Sequence, residues 1–385
     1  MKIADFTDDK HGKLIHTIQN YDAYVPYDLP PPLESSWRLG QRISNADRAL
    51  SELAGATRTL PNPHLFINSF LRREAVLSSR IEGTQASLSD LFFFEAAGEA
   101  GKQSDVQEVA NYVKAMNYGL ERLNELPLSI RLMCEIHERL MSGVRGDEAR
   151  LTPGEIRRSQ NWIGKHGSTL MDATYVPPPV EEMKRCLGEL EKYFHAESEL
   201  PPLVRLALIH YQFEAVHPFL DGNGRVGRLL ITLWLVQEKL LPQPILYLSA
   251  FFERNREEYY RLLLAVSQEG VWQEWIEYFL QGITEQSKDA IKRANNVIDL
   301  WLSYRQRLQN ERQSISTLRL LDEIVAVPVI TYKKAERVLE VTPRAARQNV
   351  DKLVEVGLLR EVTQRERYKI FLASEIITIL EEQSD

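Results

Sequence analysis

The chain has 385 residues, of which 44% are hydrophobic and 26% are charged, a balance typical of globular proteins. This length predicts two or three domains. A net charge of −7 at pH 7 argues against a protein that binds nucleic acid with its whole surface, but it leaves room for a local basic patch.

The cysteines and the apolar pattern bear on where the protein is found. Cys134 and Cys186 fall within helical patterns and lack metal-ligand spacing, so we expect buried thiols in a reducing compartment. The residues after Met1 form no apolar signal core, and no run of eighteen apolar residues follows in the sequence. These patterns predict a cytoplasmic protein that does not enter a membrane.

The N-terminal third of the chain reads mainly as helices. The stretch up to Leu33 is rich in proline and predicts an extended arm that packs over the body. Helical spacing predicts one helix over about 35–53 and, after a turn at 61–63, another that begins near His64.

This second helix carries a short polar motif. Ser78 and Glu82 are one helical turn apart and therefore face the same way, and Gly83 is well placed to cap the C-terminus of the helix. Taken alone, the pair could equally be part of an exposed polar stripe.

The middle of the chain predicts scaffold helices and one irregular segment. After a polar connector at 98–105, apolar spacing predicts helices over 109–120 and 127–141. Residues 151–179 lack a helical period, and short β-prone runs around glycines predict a hairpin, with a long surface loop as the alternative.

The stretch with the most chemistry reads HPFLDGNGRVGR over residues 217–228. Helical spacing upstream predicts a helix that ends at His217, because Pro218 stops it. A second helix is predicted to begin near Asn223. A short turn that contains glycines joins the two helices.

This turn predicts an anion site. Gly222 and Gly224 can adopt positive φ without steric cost, so successive N–H groups can converge beside a helix N-terminus. The helix dipole disfavours Arg225 and Arg228 in its opening turns, and a bound anion would remove that conflict. Asp221 supplies a hard oxygen of the kind that Mg²⁺ prefers.

The stretch resembles the Fic family, because it matches the pattern HPFx(D/E)GNGRxxR at every specified position. The resemblance implies a mainly α fold, in which a Fic helical core carries a small β-hairpin flap. It also implies transfer of AMP from ATP to a Ser, Thr or Tyr hydroxyl of a target protein, and of the enzyme itself. ATP is then the substrate and Mg²⁺ the cofactor, although other nucleotides stay open.

The resemblance also implies residue roles. His217 resembles the general base, Asp221 the Mg²⁺ ligand and Phe219 a core anchor. Asn223 and the backbone from Gly222 to Gly224 resemble the cradle for the α-phosphate, and Arg225 and Arg228 resemble the clamp on the β- and γ-phosphates. The full predicted nucleotide-binding set is Glu82, Asp221, Gly222, Asn223, Gly224, Arg225, Val226, Gly227, Arg228 and Asn255.

The polar motif of the second helix is similar to the inhibitory motif (S/T)xxxE(G/N) of the Fic subclass in which the inhibitory helix precedes the core. By that resemblance Ser78, Glu82 and Gly83 are inhibitory, and Glu82 pairs with Arg228 where the γ-phosphate of ATP would bind. The alternative within the same site is the reverse reaction, in which Glu82 supports hydrolysis of AMP from a modified protein.

Partner binding is predicted at two further places. By resemblance, residues 164–177 are the flap that holds a target segment by strand addition. Asn255 and a tyrosine of the pair Tyr259 and Tyr260 could line an adenine pocket, although at least one of these rings is expected in the core. A homodimer is compatible with the sequence.

The C-terminal region predicts a winged helix-turn-helix. Three short helical patterns, the last capped by Thr342 and Pro343, precede β-prone segments at 358–363 and 368–372. The basic side chains of the last helix could contact DNA, and a transcriptional regulator with a nucleotide-sensing core is an alternative function. Acidic residues interrupt the basic stripe, and winged helices also dock proteins, which favours a role other than DNA binding.

The predicted organisation has four parts. They are an N-terminal helical region with the inhibitory helix (1–105), the Fic catalytic core (106–287), a helical linker (288–313) and the winged helix (314–385).

Overall fold

The computed structural model describes residues 1–59, 64–97, 104–144, 152–165, 167–363 and 369–382. The predicted turn at 61–63 and most of the predicted connector at 98–105 lie outside the described residues. The described helices are α1 (Trp37–Thr59), α2 (His64–Ile81), α3 (Leu88–Ala97), α4 (Ser104–Arg122), α5 (Ile130–Met141), α6 (Val180–His195), α7 (Pro202–Val216), α8 (Asn223–Gln237), α9 (Ser249–Arg254), α10 (Arg256–Glu269), α11 (Trp272–Asn310), α12 (Ile315–Ala326), α13 (Tyr332–Leu339), α14 (Pro343–Glu355) and α15 (Ser374–Glu381). The described strands are β1 (Gly12–His16), β2 (Asp22–Pro26), β3 (Val329–Thr331), β4 (Arg360–Glu361) and β5 (Ile370–Leu372).

The prediction of a mainly α protein is confirmed, since helices account for most of the described chain. None of these described helices combines the length and apolar character that a membrane crossing requires.

The chain divides into two compact units. The first consists of Met1–Ser51, Asn111–Leu241 and Leu248–Gln286, and the second of Glu52–Ala110, Pro242–Tyr247 and Ser287–Asp385. Each unit therefore combines segments that are far apart along the sequence. The four predicted parts are consecutive stretches, and their boundaries stay a prediction.

The N-terminal arm predicted from the prolines contains a β-hairpin in the first unit. Strands β1 and β2 are antiparallel, with Leu14 opposite Tyr24. Val25 is fully buried and packs with residues of α6 and with Val216, the last residue of α7. The prolines gave no sign of this pairing, in which residues 23–26 of β2 are all buried and Val25 packs against helices distant in sequence.

Helices α7 and α8 form the centre of the first unit. Nearly every residue of each helix is buried. A helix that is apolar on all sides needs neighbours on all sides. The two helices therefore present their connecting turn, residues 217–222, on a rigid support.

The second unit contains the predicted winged helix-turn-helix. Its three predicted helices are confirmed. Ser314, Thr331 and Thr342 each accept a hydrogen bond at the start of α12, α13 and α14. The sheet has the order β3-β5-β4 and is antiparallel throughout. The predicted strand at 358–363 is reduced to β4, and the charged turn at 364–368 lies outside the described residues. Strand β3 and helix α15 were not predicted.

Helix α2 belongs to the same unit as the winged helix. The Ser69 hydroxyl donates a hydrogen bond of 3.0 Å to the carbonyl of Ala326, at the end of α12. Asp289 lies 2.8 Å from the guanidinium of Arg293 and 3.6 Å from that of Arg73 on α2. The long helix predicted to begin at Lys288 begins earlier, at Trp272, and so has no break where the linker was predicted to start.

The predicted cap of α2 is confirmed in detail. Gly83 has a φ of +97° and donates to the carbonyl of Arg80, while Thr84 donates to that of Ser79. These are the two bonds of a Schellman motif, in which Glu82 is the C-cap residue. The motif fixes the backbone on both sides of Glu82.

Two glycine substitutions in the second unit test this cap. Gly83→Ala should lower the free energy of unfolding by about 1 kcal/mol, because a Cβ disfavours positive φ. The space around Gly83 is open, so no clash adds to this cost. Gly55→Ala, in the interior of α1 and equally open, should instead raise the free energy by about 0.5–1 kcal/mol. Urea unfolding measures the free energy of unfolding of both variants. The same change in both would contradict the role of Gly83 as the cap.

Candidate active site

The site is built around the end of α7. His217 is the C-cap residue, with a φ of 49° and a ψ of 64°, and its backbone N–H donates to Phe213. Pro218 follows and ends the helix, as predicted. Left-handed backbone is unfavourable for a residue with a Cβ, so other contacts must hold His217 in this conformation.

A hydrogen bond defines the tautomer of His217. Its Nδ1 lies 3.2 Å from the carbonyl oxygen of Glu214. A carbonyl oxygen can only accept, so in the neutral ring Nδ1 carries the proton. The lone pair is then on Nε2, as a general base requires.

The side chain of Asn223 closes the turn. Its Nδ2 donates to the carbonyl of Phe219 at 2.8 Å, and its Oδ1 accepts from the backbone N–H of Phe219 at 2.8 Å. The side chain is 2% exposed. Its predicted contact with an α-phosphate stays a prediction, and the backbone N–H at the start of α8 is the better placed group for it.

Gly222 shapes the N-terminus of α8. It has a φ of +77° and occupies the N-cap position, and within the described chain no side chain caps this helix. A Cβ there would lie 2.8 Å from the sulfur of Met141. The first N–H groups of α8, including those of Asn223 and Gly224, are thus left to an anion rather than to a capping side chain.

The two arginines of the motif are buried beside this terminus. Arg225 is 4% exposed and Arg228 is 2% exposed. An Nη2 atom of Arg225 lies 3.7 Å from Oδ1 of Asp221 and 3.6 Å from the sulfur of Met141. Guanidinium groups beside a helix N-terminus are suited to binding an anion.

Asp221 is the candidate ligand for a divalent cation. No group of three or more His, Cys, Asp or Glu side chains among the described residues could hold a metal ion by itself. Mg²⁺ commonly takes only one or two protein carboxylates and completes its shell with phosphate and water oxygens. The Asp221 side chain is 55% exposed, and its Oδ1 accepts from Gly222, so its carboxylate fits such a role.

Packing explains two further positions of the motif. Gly227 lies so close to α7 that a Cβ would come within 2.2 Å of Oε1 of Glu214. Val226 is buried, and its N–H donates to Gly222 in the first turn of α8. Phe219 is buried as predicted for a core anchor.

A histidine that the sequence analysis did not single out holds the other side of the turn. His137 of α5 is fully buried and stacks on Phe219, with ring centroids 3.9 Å apart. Its Nδ1 accepts from Gly154 at 2.9 Å, so its Nε2 donates to the carbonyl of Asp221 at 3.1 Å. Burial lowers the pKa of His137 to about 4, which keeps the ring neutral.

Arg157 and Asn161 were also missed as parts of the site. Arg157 donates through Nε to the carbonyl of His217 at 2.9 Å. Asn161 donates through Nδ2 to the same carbonyl at 3.2 Å and to that of Phe219 at 2.7 Å. The only signal in the sequence was the presence of an arginine and an amide in a segment predicted to lead into the flap.

The predicted flap is an extended pair of segments joined at one place. Ile163 and Tyr175 form an antiparallel bridge, with hydrogen bonds of 2.8 and 3.0 Å between their backbones. Residue 166 lies outside the described residues. Trp162 and Met171 are exposed on this segment, at 41% and 69%.

The predicted adenine-pocket residues have different surroundings. The amide of Asn255 donates to the carbonyl of Phe251 at 2.9 Å, at the junction of α9 and α10. Tyr259 is buried, and its hydroxyl lies 2.9 Å from Nε2 of His210, so it is a core residue. Tyr260 is 40% exposed. An adenine contact through Asn255 and Tyr260 stays a prediction.

The predicted inhibitory residues lie in the second unit. Ser78 is fully buried within α2, whereas Glu82 is exposed in the turn that follows it. The two side chains thus differ in burial although they are one turn apart. The pairing of Glu82 with Arg228 stays a prediction.

Comparison with known proteins identifies the family. Residues 127–235 match the Fic/DOC family, residues 40–121 match the Fic/DOC family N-terminal region, and residues 318–371 match an HTH DNA binding domain. The protein adenylyltransferase Fic of Drosophila erecta is 29% identical over 193 residues, which cover 49% of this chain and 35% of that protein. That of Drosophila willistoni is 30% identical over 193 residues, which cover 49% of this chain and 34% of that protein.

A solved structure is similar over nearly the whole chain. The crystal structure of a Fic family protein from Desulfovibrio desulfuricans G20 gives a TM-score of 0.57 at 18% identity, covering 90% of this chain and 98% of that chain. At this identity the likeness shows the fold alone. The chain therefore contains two regions of the Fic/DOC family, and the predicted Fic core with a C-terminal winged helix is confirmed. The matched region covers only about a third of the length of the curated relatives.

The low pKa of His137 predicts a pH-dependent stability. As pH falls from about 6.5 to about 4, His137 is protonated in the unfolded chain but stays neutral in the folded protein. The stabilisation that comes from this difference is present above this pH range and is lost within it. The expected loss between about pH 7 and pH 5 is about 2 kcal/mol. The side chain of His137→Gln can keep both hydrogen bonds but does not titrate. This variant should therefore lose less stability than the wild type between about pH 7 and pH 5, as measured by urea unfolding at the two pH values.

A matched control is His16→Gln. His16 lies on the surface, with a side chain that is 62% exposed. This variant should keep the pH dependence of the wild type. If it reduced the dependence as much as His137→Gln does, the assignment to His137 would be wrong.

Proposed function

We propose that the protein is an adenylyltransferase that moves AMP from ATP to a Ser, Thr or Tyr hydroxyl of a target protein, and to itself. The observation that carries the proposal is the juxtaposition of a histidine whose Nε2 has the lone pair with an uncapped helix N-terminus flanked by two buried arginines. A base and a triphosphate site at one turn are the two requirements of this transfer. The match to the Fic/DOC family and its adenylyltransferase relatives supports the same activity.

In the proposed reaction the target hydroxyl attacks the α-phosphorus in line. The oxygen–phosphorus bond to the target forms as the bond between the α-phosphorus and the bridging oxygen breaks, and pyrophosphate leaves. Nε2 of His217 accepts the hydroxyl proton, which contributes about 10²–10⁴-fold to the rate. The bond from Nδ1 to Glu214 directs the ring for this step.

The α8 terminus binds the nucleotide in this proposal. Its N–H groups receive the α-phosphate, and Arg225 and Arg228 hold the β- and γ-phosphates, whose charge increases as pyrophosphate leaves. Asp221 would hold Mg²⁺, which supplies charge neutralisation on the phosphates when it is bound. Because the arginines are buried, they need little reorganisation during the reaction.

We further propose that Glu82 inhibits this activity. Glu82 is the C-cap residue of the Schellman motif of α2, which fixes the backbone from which its side chain projects. A carboxylate and a γ-phosphate cannot both use one guanidinium well. Glu82 would therefore compete with ATP for Arg228.

Labelling with nucleotides tests these proposals. Wild type, His217→Ala and Glu82→Gly are incubated with α-labelled ATP, CTP, GTP or UTP and a cell extract. Labelling from ATP should fall about 10²–10⁴-fold in His217→Ala and rise in Glu82→Gly. His16→Ala, which removes an exposed histidine of the β-hairpin, should label like the wild type.

The possible outcomes of the labelling experiment distinguish between the proposed roles of the site. Labelling that survives His217→Ala would overturn the proposed transferase. If AMP is instead removed from a modified protein, and Glu82→Gly loses that activity, the site works in the hydrolytic direction. If Glu82→Gly changes neither activity, the inhibitory role is wrong.

A second candidate function is DNA binding by the winged helix. Residues 318–371 match an HTH DNA binding domain. On α14 the exposed polar side chains of the first turns are Arg344, Arg347 and Gln348, whereas Lys352 lies 2.6 Å from Glu355. Arginine and glutamine are suited to base edges in a major groove, and the N-terminal half of a recognition helix is the part that reaches them.

Salt-dependent binding of the full chain to duplex DNA tests this candidate. Arg344→Ala should weaken binding by about 1–3 kcal/mol if the side chain reads a base, or lower the salt slope by about 1 if it contacts phosphate. Arg158→Ala, whose side chain is 84% exposed in the first unit, should change neither. Binding that responds equally to both variants would indicate non-specific attraction and remove this candidate.

A further inference from the structure

Arg157 makes an unusual set of contacts for a buried arginine. It is 1% exposed. Its guanidinium donates to three backbone carbonyls, those of His217, Ser159 and Pro178. Its own backbone N–H donates to the carbonyl of Pro218 at 2.9 Å. One residue thus joins the histidine of the motif to the chain just before and just after the flap, at Ser159 and Pro178.

The charge of Arg157 has no carboxylate partner among the described residues, since its acceptors are neutral carbonyls. Burial lowers the pKa of this guanidinium to about 10, so it is still a cation at neutral pH. Burying a cation without a counter-ion is unfavourable. Such a group is costly as a purely structural tie, which points to a role for its contacts.

The hydrogen bond from Arg157 is made to a residue with an unfavourable backbone conformation, His217. His217 is left-handed, with a φ of 49°, a conformation that side chains with a Cβ disfavour. Its carbonyl accepts from Arg157 and from Asn161. Rotation of the peptide after His217 would break both bonds, so together they fix the direction in which the imidazole leaves the backbone.

We propose that Arg157 is a positioning residue, which holds His217 in its left-handed conformation and couples it to the flap. The inference rests on the proposed adenylyl transfer. Arg157 does not touch the reacting atoms; it acts through the backbone of the base and through the segment expected to hold the target. Loss of Arg157 should therefore reduce turnover more than nucleotide affinity.

The test compares Arg157→Gln with Arg205→Gln. Arg205 is a buried arginine of α7 that also donates to backbone carbonyls, those of Tyr193 and Ala196, at 3.0 Å each. It therefore controls for loss of a buried, carbonyl-bonded guanidinium. Labelling rates are measured over a range of concentrations of ATP labelled at the α-phosphate, and Tm is measured for each variant.

We expect kcat to fall about 10- to 100-fold in Arg157→Gln, with KM for ATP nearly unchanged, while Arg205→Gln lowers Tm but keeps kcat near that of the wild type. Equal kcat values in the two variants would overturn the inference. The proposed function has its own test in His217→Ala, so it can stand when the inference fails.

A second measurement does not need turnover. Lys165 is exposed in the flap, and Arg157 ties the segments on both sides of it. Tryptic cleavage after Lys165, followed by mass spectrometry, should be faster in Arg157→Gln than in Arg205→Gln. Cleavage at the same rate in both would show that Arg157 does not hold the flap and would contradict the proposal, whatever the activity of the protein.

Discussion

The turn between α7 and α8 depends on hydrogen bonds that come from outside it. Inside the turn, Asn223 pairs with both backbone groups of Phe219, which closes the loop but does not fix its ends. His137 holds the carbonyl of Asp221 from one side, and Arg157 holds that of His217 from the other. The left-handed backbone of His217 and the N-terminus of α8 keep their relative position because the hydrogen bonds of Asn223, His137 and Arg157 are formed together.

The neutral state of the buried histidines follows from the same arrangement. His137 and His210 each donate to a backbone carbonyl, and each ring is fully buried, which disfavours the charged form. Burial and, as a smaller effect, the nearby charge of Arg228 together lower the pKa of His210 to about 3. The proposed nucleotide site therefore has its positive charge on arginines and not on its supporting histidines.

Helix α2 of the second unit combines two features. It carries Ser78 and has Glu82 as its C-cap residue, and it also packs against the winged helix, where the Ser69 hydroxyl donates to the carbonyl of Ala326. The Asp289 carboxylate joins Arg73 of this helix to Arg293 of α11. No local pattern connects residues near 70 with residues near 320, because the hydrogen bond joins the Ser69 hydroxyl to a backbone carbonyl 257 positions away.

The sequence by itself determined many of the helices, the caps of α2 and α14 and the candidate site at residues 217–228, because helical spacing, capping residues and glycine positions act over a few residues. Gly83 and Thr342 cap their helices as predicted. Only the tertiary structure decided that the N-terminal arm is a hairpin and that Arg157 meets the carbonyl of His217. Such contacts join distant segments, and no local pattern encodes which buried carbonyl a given donor will reach.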